Sequence, residues 1–510
     1  MAIRTFAAID VGSFELELGI YEISSKIGVR RIDHVRHVIA LGKDTYTTGK
    51  ISYDLVEEMC EVLGKFKGIM ETYKVADYRA YATSAMREAK NNQIILDQIR
   101  VRTGITVRII SNSEQRFISY KAIANKADAF DKIIQKAAAI VDVGFGSMQI
   151  SLFDKSSLVS TQNLPIGVLR LKEMIARVPT DDNTRYALLE EIVDNELFTF
   201  RKMYLKDRET KQLIGIGESI LYLSRQIKSS EKENVQNISS DRITAEEFDA
   251  FYHRLIGMSL RQVEENFGVG AEYANLLTLG AIIYHRILEL TGAEMFWIPG
   301  IRLVDGIAAD YAESTKLVKF SHDFSDDIIV TSRNIAKRYK CHMAHCQCVE
   351  SYVLQIFDTI KRYHGLDNRD RLLLQIAANL HACGKFISMK NPGACAYDII
   401  MSTEIIGLSH AERELIANVV RLNLQEFDYN TATMKIAKLT AILRLANAMD
   451  RGHAQKLKDC KMSYRDDELI MTTSYEGDIT LERMAYEGKV EFFKEIFGIE
   501  PVLKQKKRYK

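Results

Sequence analysis

"AAIDVGSFELEL" (residues 7–18) and "AAIVDVGFGSMQISLFD" (residues 138–154) share one grammar. In each, alanines and β-branched residues make a short apolar strand. An aspartate, Asp10 or Asp142, stands near its end, and small residues turn the chain into a second strand. Each stretch reads as a β-hairpin. Glycines at the turns, Gly12 in the first and Gly144 and Gly146 in the second, let successive backbone N–H groups point at one place with no Cβ in the way. Such a concavity, with Ser13 and Ser147 in the same turns, takes phosphate. An aspartate beside it holds Mg²⁺ directly or through water, or orients an attacking water. A lone D-x-G after a strand is an ordinary hairpin turn, whereas two copies predict two related α/β halves sharing a phosphate-binding cleft.

This duplication resembles the actin-like ATPase superfold, which sugar kinases, chaperones and phosphatases share, so the fold alone does not fix function. A chain of 510 residues is too long for one core and predicts three or four domains. Its 69 basic and 68 acidic residues leave a net charge of +1, with no global attraction for polyanions and no expectation of a nucleic-acid partner. An anionic substrate must then be drawn by a local patch. The terminal "KQKKRYK" (504–510) is basic and reads as a solvated tail. No leader segment is apparent and no apolar run reaches the roughly 18 residues that span a bilayer, so no membrane partner is expected. Seven cysteines without framework spacing suit a reducing cytoplasm.

Further landmarks follow the first loop. "YATSAMREAKN" (81–91) ends a strand and starts a helix, where free N–H groups and Arg87 face an anion. "VRIISNSEQRFISYKAI" (107–123) is a strand, a polar turn whose Ser111 or Ser113 caps a helix, and Glu114 in that helix's first turn, where a carboxylate is stabilising in any case. "NLPIGVLRLKE" (163–173) enters a helix from an extended segment. "LIGIGESILYLSR" (213–225) supplies a strand, a third glycine turn at Gly217 with Ser219 beyond it, and a helix. Residues 277–307 give a helix, a strand and a closing helix.

In this order the motifs resemble those of the exopolyphosphatase and guanosine pentaphosphate phosphatase (Ppx/GppA) family, over nearly the whole chain. Family members read D-I-G-S-N-S, A-T-S-A-x-R-x-A-x-N, I-S-G-x-E-E-A-R, D-I-G-G-G-S-T, L-P-x-G-x-x-R-L and G-x-x-G-T-I. Here the matching stretches are residues 10–13, 82–91, 110–116, 142–147, 164–171 and 215–220. The resemblance implies an α/β fold of two actin-like (ribonuclease H-like) domains, residues 1–125 and 126–312, around a phosphate-binding cleft. It further implies Mg²⁺-dependent hydrolysis of the terminal phosphoanhydride of inorganic polyphosphate or guanosine pentaphosphate, by a homodimer. Carried over by position, Asp10 and Asp142 are the metal-binding aspartates, with Asp142 also catalytic. Gly12, Ser13, Arg87, Gly144, Gly146, Ser147, Gly217 and Ser219 bind phosphate. Alignment through Arg116 makes Glu114 the catalytic glutamate, whereas alignment from Ser111 puts Gln115 there, a poor base. Loops absorb deletions more readily than helices, which favours Glu114.

Several positions depart from the family pattern. Phe14 and Glu15 replace Asn and Ser in the first loop, and Phe145 and Met148 replace Gly and Thr in the second. Glu218 and Ser219 stand where Gly-Thr is usual, and Val304 where an arginine closes the last motif. Together these make the cleft more negative and poorer in donors, weakening its hold on a polyanion.

Residues 313–510 turn helical. "RYKCHMAHCQCVESYVLQIFDTI" and "LLLQIAANLHACGKFIS" resemble HD-type metal phosphohydrolase helices, which need H…H-D…D. His345 and His381 remain, but Ala382, Asn447, Cys395 and Asn423 stand at other ligand positions, so a structural domain with relict histidines is expected. Cys341, Cys346, Cys348, Cys383 and Cys395 near these histidines suggest zinc, but without any C-x-x-C pair they read as small buried hydrophobes. Two functions follow: an exopolyphosphatase that also acts on guanosine pentaphosphate, or a non-catalytic sensor that binds polyphosphate or a nucleotide.

Overall fold

The computed structural model describes residues 3–126, 133–135, 137–154, 157–176, 178, 182–206, 208, 210–230, 241–318, 324–429 and 432–506. The end of the basic tail, residues 507–510, lies outside them. The chain divides into two compact units, Met1–Asp323 and Phe324–Lys510.

The first unit holds two sheets. Strands β1 (Arg4–Val11), β2 (Glu15–Ser24) and β3 (Gly28–Val38) form an antiparallel meander, and β4 (Asp77–Ala82) and β5 (Val107–Ile109) extend it in parallel on the β1 side, in the order β3-β2-β1-β4-β5. The second sheet repeats this plan: β6 (Ala138–Val143), β7 (Met148–Asp154) and β8 (Ser157–Leu164) form the meander, β9 (Gln212–Ile216) runs parallel to β6, and β11 (Met295–Trp297) and β10 (Arg242–Thr244) complete it. Both quoted stretches are therefore hairpins. Asp10 pairs with Glu17 and Asp142 with Gln149, each one position before its strand's end.

The middle of β1, residues 6–9, is apolar because helices cover both faces of the strand. Ala7, Ile9 and Val11 share a core with α1 (Leu41–Thr48), α2 (Tyr53–Thr72), α3 (Ser84–Glu88) and α4 (Asn92–Thr103). Phe6 and Ala8 pack on α5 (Asn112–Lys126) and on the closing helix Leu303–Ser314 through Ile118, Val304, Ile307 and Tyr311. The Phe6 and Tyr311 rings stack at 4.0 Å. The closing helix, assigned to the second half by sequence order, thus returns to the first sheet. Asp310 on that helix accepts from Arg79 and from Lys121, each at 2.6 Å.

The second unit carries the helices Phe324–Arg338, Met343–Thr359, Asn368–Leu380, Pro392–Ser402, His410–Leu424 and Met434–Ala448. It ends in a small sheet, β12 (Lys461–Arg465), β13 (Glu468–Thr473) and β14 (Glu500–Gln505), whose last two strands are parallel and joined by the helix Thr480–Phe497. No helix among the described residues is long and apolar enough to cross a membrane.

The return of the closing helix depends on Gly306, where a Cβ would lie 2.5 Å from the Ile118 carbonyl oxygen of α5. Gly306→Ala should force the two helices apart and destabilise the first unit by about 1–3 kcal/mol. An unchanged thermal or urea midpoint would show that the helices yield at no cost.

Candidate phosphate-binding cleft

The two hairpin turns close alike: Gly12 N donates to the Glu15 carbonyl and Gly144 N to the Ser147 carbonyl, each at 3.0 Å. Their loops meet at a cavity of about 100 Å³ lined by both aspartates, by Gly12, Ser13, Gly144, Gly146, Ser147 and Gly217, and by Glu15, Glu17, Ser84, Gln115, Gln149, Glu218 and Arg302. Asp10, Asp142 and six of the residues expected in the phosphate loops thus line one cavity. Two glycines are dictated by crowding. A Cβ on Gly146 would collide with the Tyr46 hydroxyl, and one on Gly217, whose φ is +89°, would lie 2.6 Å from Asp142 Oδ1.

Three expected site residues stand elsewhere. Glu114 is absent from the cavity lining: its Oε2 accepts from Ser111 N at 2.9 Å, its Oε1 from Arg108 at 2.7 Å, and its own N–H donates to Ser111 Oγ at 3.2 Å. This is a capping box, which fixes Ser111 as the N-cap and turns the next residue, Gln115, into the cavity. Arg87 is spent on the same hinge, donating to the Ile110 carbonyl at 2.6 Å and to Asn112 Oδ1. Ser219 donates to the Val143 carbonyl at 2.9 Å, bracing the second loop from outside.

Departures from the family pattern acquire structural reasons. Phe14 of the first loop and Phe145 of the second pack together at 4.8 Å, and Tyr273 meets Phe14 edge-on at 5.5 Å. An aromatic in each loop thus joins the two halves at the cavity, which Phe145 itself lines. Met148 is wholly buried. Val304 is core as well, and a cavity arginine is supplied two residues earlier by Arg302.

Arg302 also reaches residues that sequence reasoning did not connect. Its Nη1 donates to Glu17 Oε1 at 2.7 Å and to Glu218 Oε1. Arg36 reaches Glu15 and Glu218 at 3.4 Å, and the Tyr273 hydroxyl donates to Glu15 at 2.6 Å. Burial opposes ionisation of Glu17, but the neighbouring His34 and Arg302 bring its pKa below the usual value. The aspartates have no cation so close among the described residues. Burial, then the charges of Glu17, Glu15 and Asp142, push Asp10 well above the carboxylate range. Burial pushes Asp142 up to about 7, with Arg116 opposing. Across the cleft, Ser13, Ser84 and Tyr46 form a triangle of hydroxyl contacts at 2.7–3.2 Å. Arg170 donates to the Gly146 carbonyl and to Glu88 at 2.7 Å while lying over the Tyr46 ring.

The carboxylates fit Mg²⁺, a hard ion that selects oxygen donors. Asp10 Oδ1 has no hydrogen-bond partner among the described residues, and the ligand atoms of Glu15, Glu17 and Glu218 lie within 4.8 Å of one another. In the second unit, His345 Nε2 lies 3.1 Å from His381 Nε2 and 3.2 Å from Asn447 Oδ1, while its Nδ1 meets Asp450 at 2.9 Å. Burial, aided by His345, takes His381 down to about 3, so it stays neutral. Imidazoles with an amide oxygen are poor ligands for a hard metal ion. The thiols of Cys346, Cys348 and Cys383 are buried and free, and burial raises Cys383 to about 12.

Comparison with known proteins gives concordant likenesses. The model of the Ppx/GppA phosphatase family matches residues 20–310, and that of Ppx/GppA phosphatase domain III matches residues 329–484. A guanosine-5'-triphosphate,3'-diphosphate pyrophosphatase of Photobacterium profundum is 21% identical over 481 residues, covering 92% of this chain and 91% of its own. The crystal structure of the Aquifex aeolicus member of the Ppx/GppA family is 21% identical with a TM-score of 0.52, covering 63% of this chain and 100% of its own. An exopolyphosphatase from Cytophaga hutchinsonii is 19% identical with a TM-score of 0.55, covering 62% of this chain and 100% of its own. At these identities the structural likeness is one of fold.

The raised pKa of Asp142 has a thermodynamic sign. Between about pH 4 and pH 7 the folded chain keeps a proton that the unfolded chain has released, so this contribution to stability is lost as pH rises through that window. In chelator, Asp142→Asn should therefore gain unfolding midpoint relative to wild type between pH 5 and pH 8. Equal differences at the two pH values would show that Asp142 titrates normally.

Proposed function

Since the chain belongs to the Ppx/GppA phosphatase family, we propose that its cleft takes the terminal phosphate of inorganic polyphosphate, or of guanosine pentaphosphate, and hydrolyses the phosphoanhydride. The observation that carries this reading is the convergence of two matching hairpin loops, with Asp10 and Asp142, on one small cavity. Backbone N–H groups of the glycine turns would cradle the phosphate oxygens. Asp10, with Asp142 beside it, would hold Mg²⁺, and a bound divalent cation screens phosphate charge and so offsets the carboxylate excess of the cleft. Asp142, on the second loop of the same cavity, would accept the proton of the attacking water. Gln115, next to the site, donates and accepts hydrogen bonds and so orients that water without taking its proton.

A second reading has its own observation. Gln115 lines the cavity where the family resemblance calls for a glutamate, and Glu114 is committed to its cap. This favours a slow or silent cleft that binds polyphosphate or a nucleotide and signals.

Phosphate release from polyphosphate with Mg²⁺ at neutral pH separates the two. The hydrolase reading expects measurable turnover in wild type, a fall on the order of 10²-fold or more in Asp142→Asn, and a rise in Gln115→Glu. Glu114→Gln should lower stability by about 1 kcal/mol through the weakened cap and leave turnover within a few-fold. Polyphosphate binding with no release from wild type, and hydrolysis appearing only in Gln115→Glu, would establish the binding protein instead.

A further inference from the structure

Away from the cleft, two helices of the first unit, Ala245–Ile256 and Ala271–Thr291, each offer two potential ligands one turn apart. Asp249 and His253 stand on the first helix, and His285 and Glu289 on the second. Side chains four residues apart project from one helical face, so both pairs meet at the same interface. Asp249 Oδ1 lies 2.9 Å from His285 Nε2 and 3.5 Å from His253 Nε2, and one ligand atom from each residue falls within 4.8 Å of the others. A tetrahedral zinc ion with bonds of about 2.0–2.1 Å places neighbouring donors roughly 3.3 Å apart, between the two measured separations.

The buried imidazole is already held in place. Tyr252 stacks on the His285 ring at 3.8 Å and 9°. His285 is only 6% exposed, and its Nδ1 is buried with no hydrogen-bond partner among the described residues, with Glu289 Oε2 3.8 Å away. An i,i+4 ion pair on a helix surface accounts for His253 with Asp249. It does not account for a buried imidazole with carboxylates beside both ring nitrogens and an unsatisfied one among them. A metal-ligating histidine characteristically has a carboxylate behind its other nitrogen.

We propose that Asp249, His253 and His285 form a site for a borderline divalent cation of the Zn²⁺ class, with Glu289 orienting His285 from behind. Two imidazoles and one carboxylate favour such an ion over Mg²⁺. The Asp249 and His253 side chains are 53% and 63% exposed, so the ion enters from solvent and keeps an outward position for water. The site is remote in chemistry from the carboxylate cleft but lies on the helix that backs it. His285 follows Tyr284, whose hydroxyl contacts Val143 N at 3.4 Å and the Ile216 carbonyl at 3.3 Å.

The test uses full-length, metal-stripped protein in excess Mg²⁺, titrated with Co²⁺ and followed by its visible absorption. Wild type should bind one more Co²⁺ per chain than His253→Gln or Asp249→Asn, and Zn²⁺ should displace that ion and raise the unfolding midpoint of wild type but not of these two variants. His253→Cys, which supplies a thiolate ligand instead, should keep the extra ion and add a sulfur-to-cobalt charge-transfer band. Equal stoichiometry in wild type and both exposed-residue variants would overturn the proposal, as would a His253→Cys spectrum lacking that band.

Discussion

One guanidinium holds the first unit's charges together. Arg302, at the start of the closing helix, meets Glu17 on β2 of the first sheet and Glu218 at the first helical residue after β9 of the second. Buried carboxylates would repel one another and pay for lost hydration, so bringing these strands to one cavity requires a cation inside it. Arg302 supplies that cation from a third segment, and Arg36 shares Glu15 and Glu218 from β3. Loss of Arg302 would leave two acids buried without their main partner, a larger disturbance than the loss of one surface pair.

The same constraint divides the acids into two kinds. Glu15, Glu17 and Glu218 are matched by arginine or tyrosine and help hold the site together. Asp10 and Asp142 are matched by no arginine of comparable closeness among the described residues, and their affinity for protons rises accordingly. A carboxylate with a weakly compensated charge is one that a cation or a reacting proton engages, so the chemistry is concentrated on the pair at equivalent positions of the duplicated hairpins.

Much of this was legible because it is local. The hairpins are written in alanine, β-branched residues, aspartate and glycine, and the same signals that close a turn also make it fit phosphate. Register around Glu114 was less legible. Ser111 and Glu114 spell a capping box, but so short a motif also tolerates the alternative alignment, and only the hydrogen bonds of Ser111, Arg108 and Glu114 decide it. Partnerships across distant segments were not legible at all. Arg302 with Glu17, Phe14 with Phe145 and Tyr46 over Gly146 depend on how the two sheets face each other, which no residue spacing encodes. Val304 was misread for a related reason: a motif compared position by position missed the arginine two residues earlier, which the fold delivers to the cavity.

The Tyr46 hydroxyl, beneath the Arg170 guanidinium, bears on how closely the two loops approach. It rests against Gly146 of the second loop while contacting Ser13 and Ser84 of the first half at 3.0 and 3.2 Å, at the edge along which the two loops meet. Any side chain at position 146 would have to displace that hydroxyl, so the approach of the two loops at this point is set by one phenol ring.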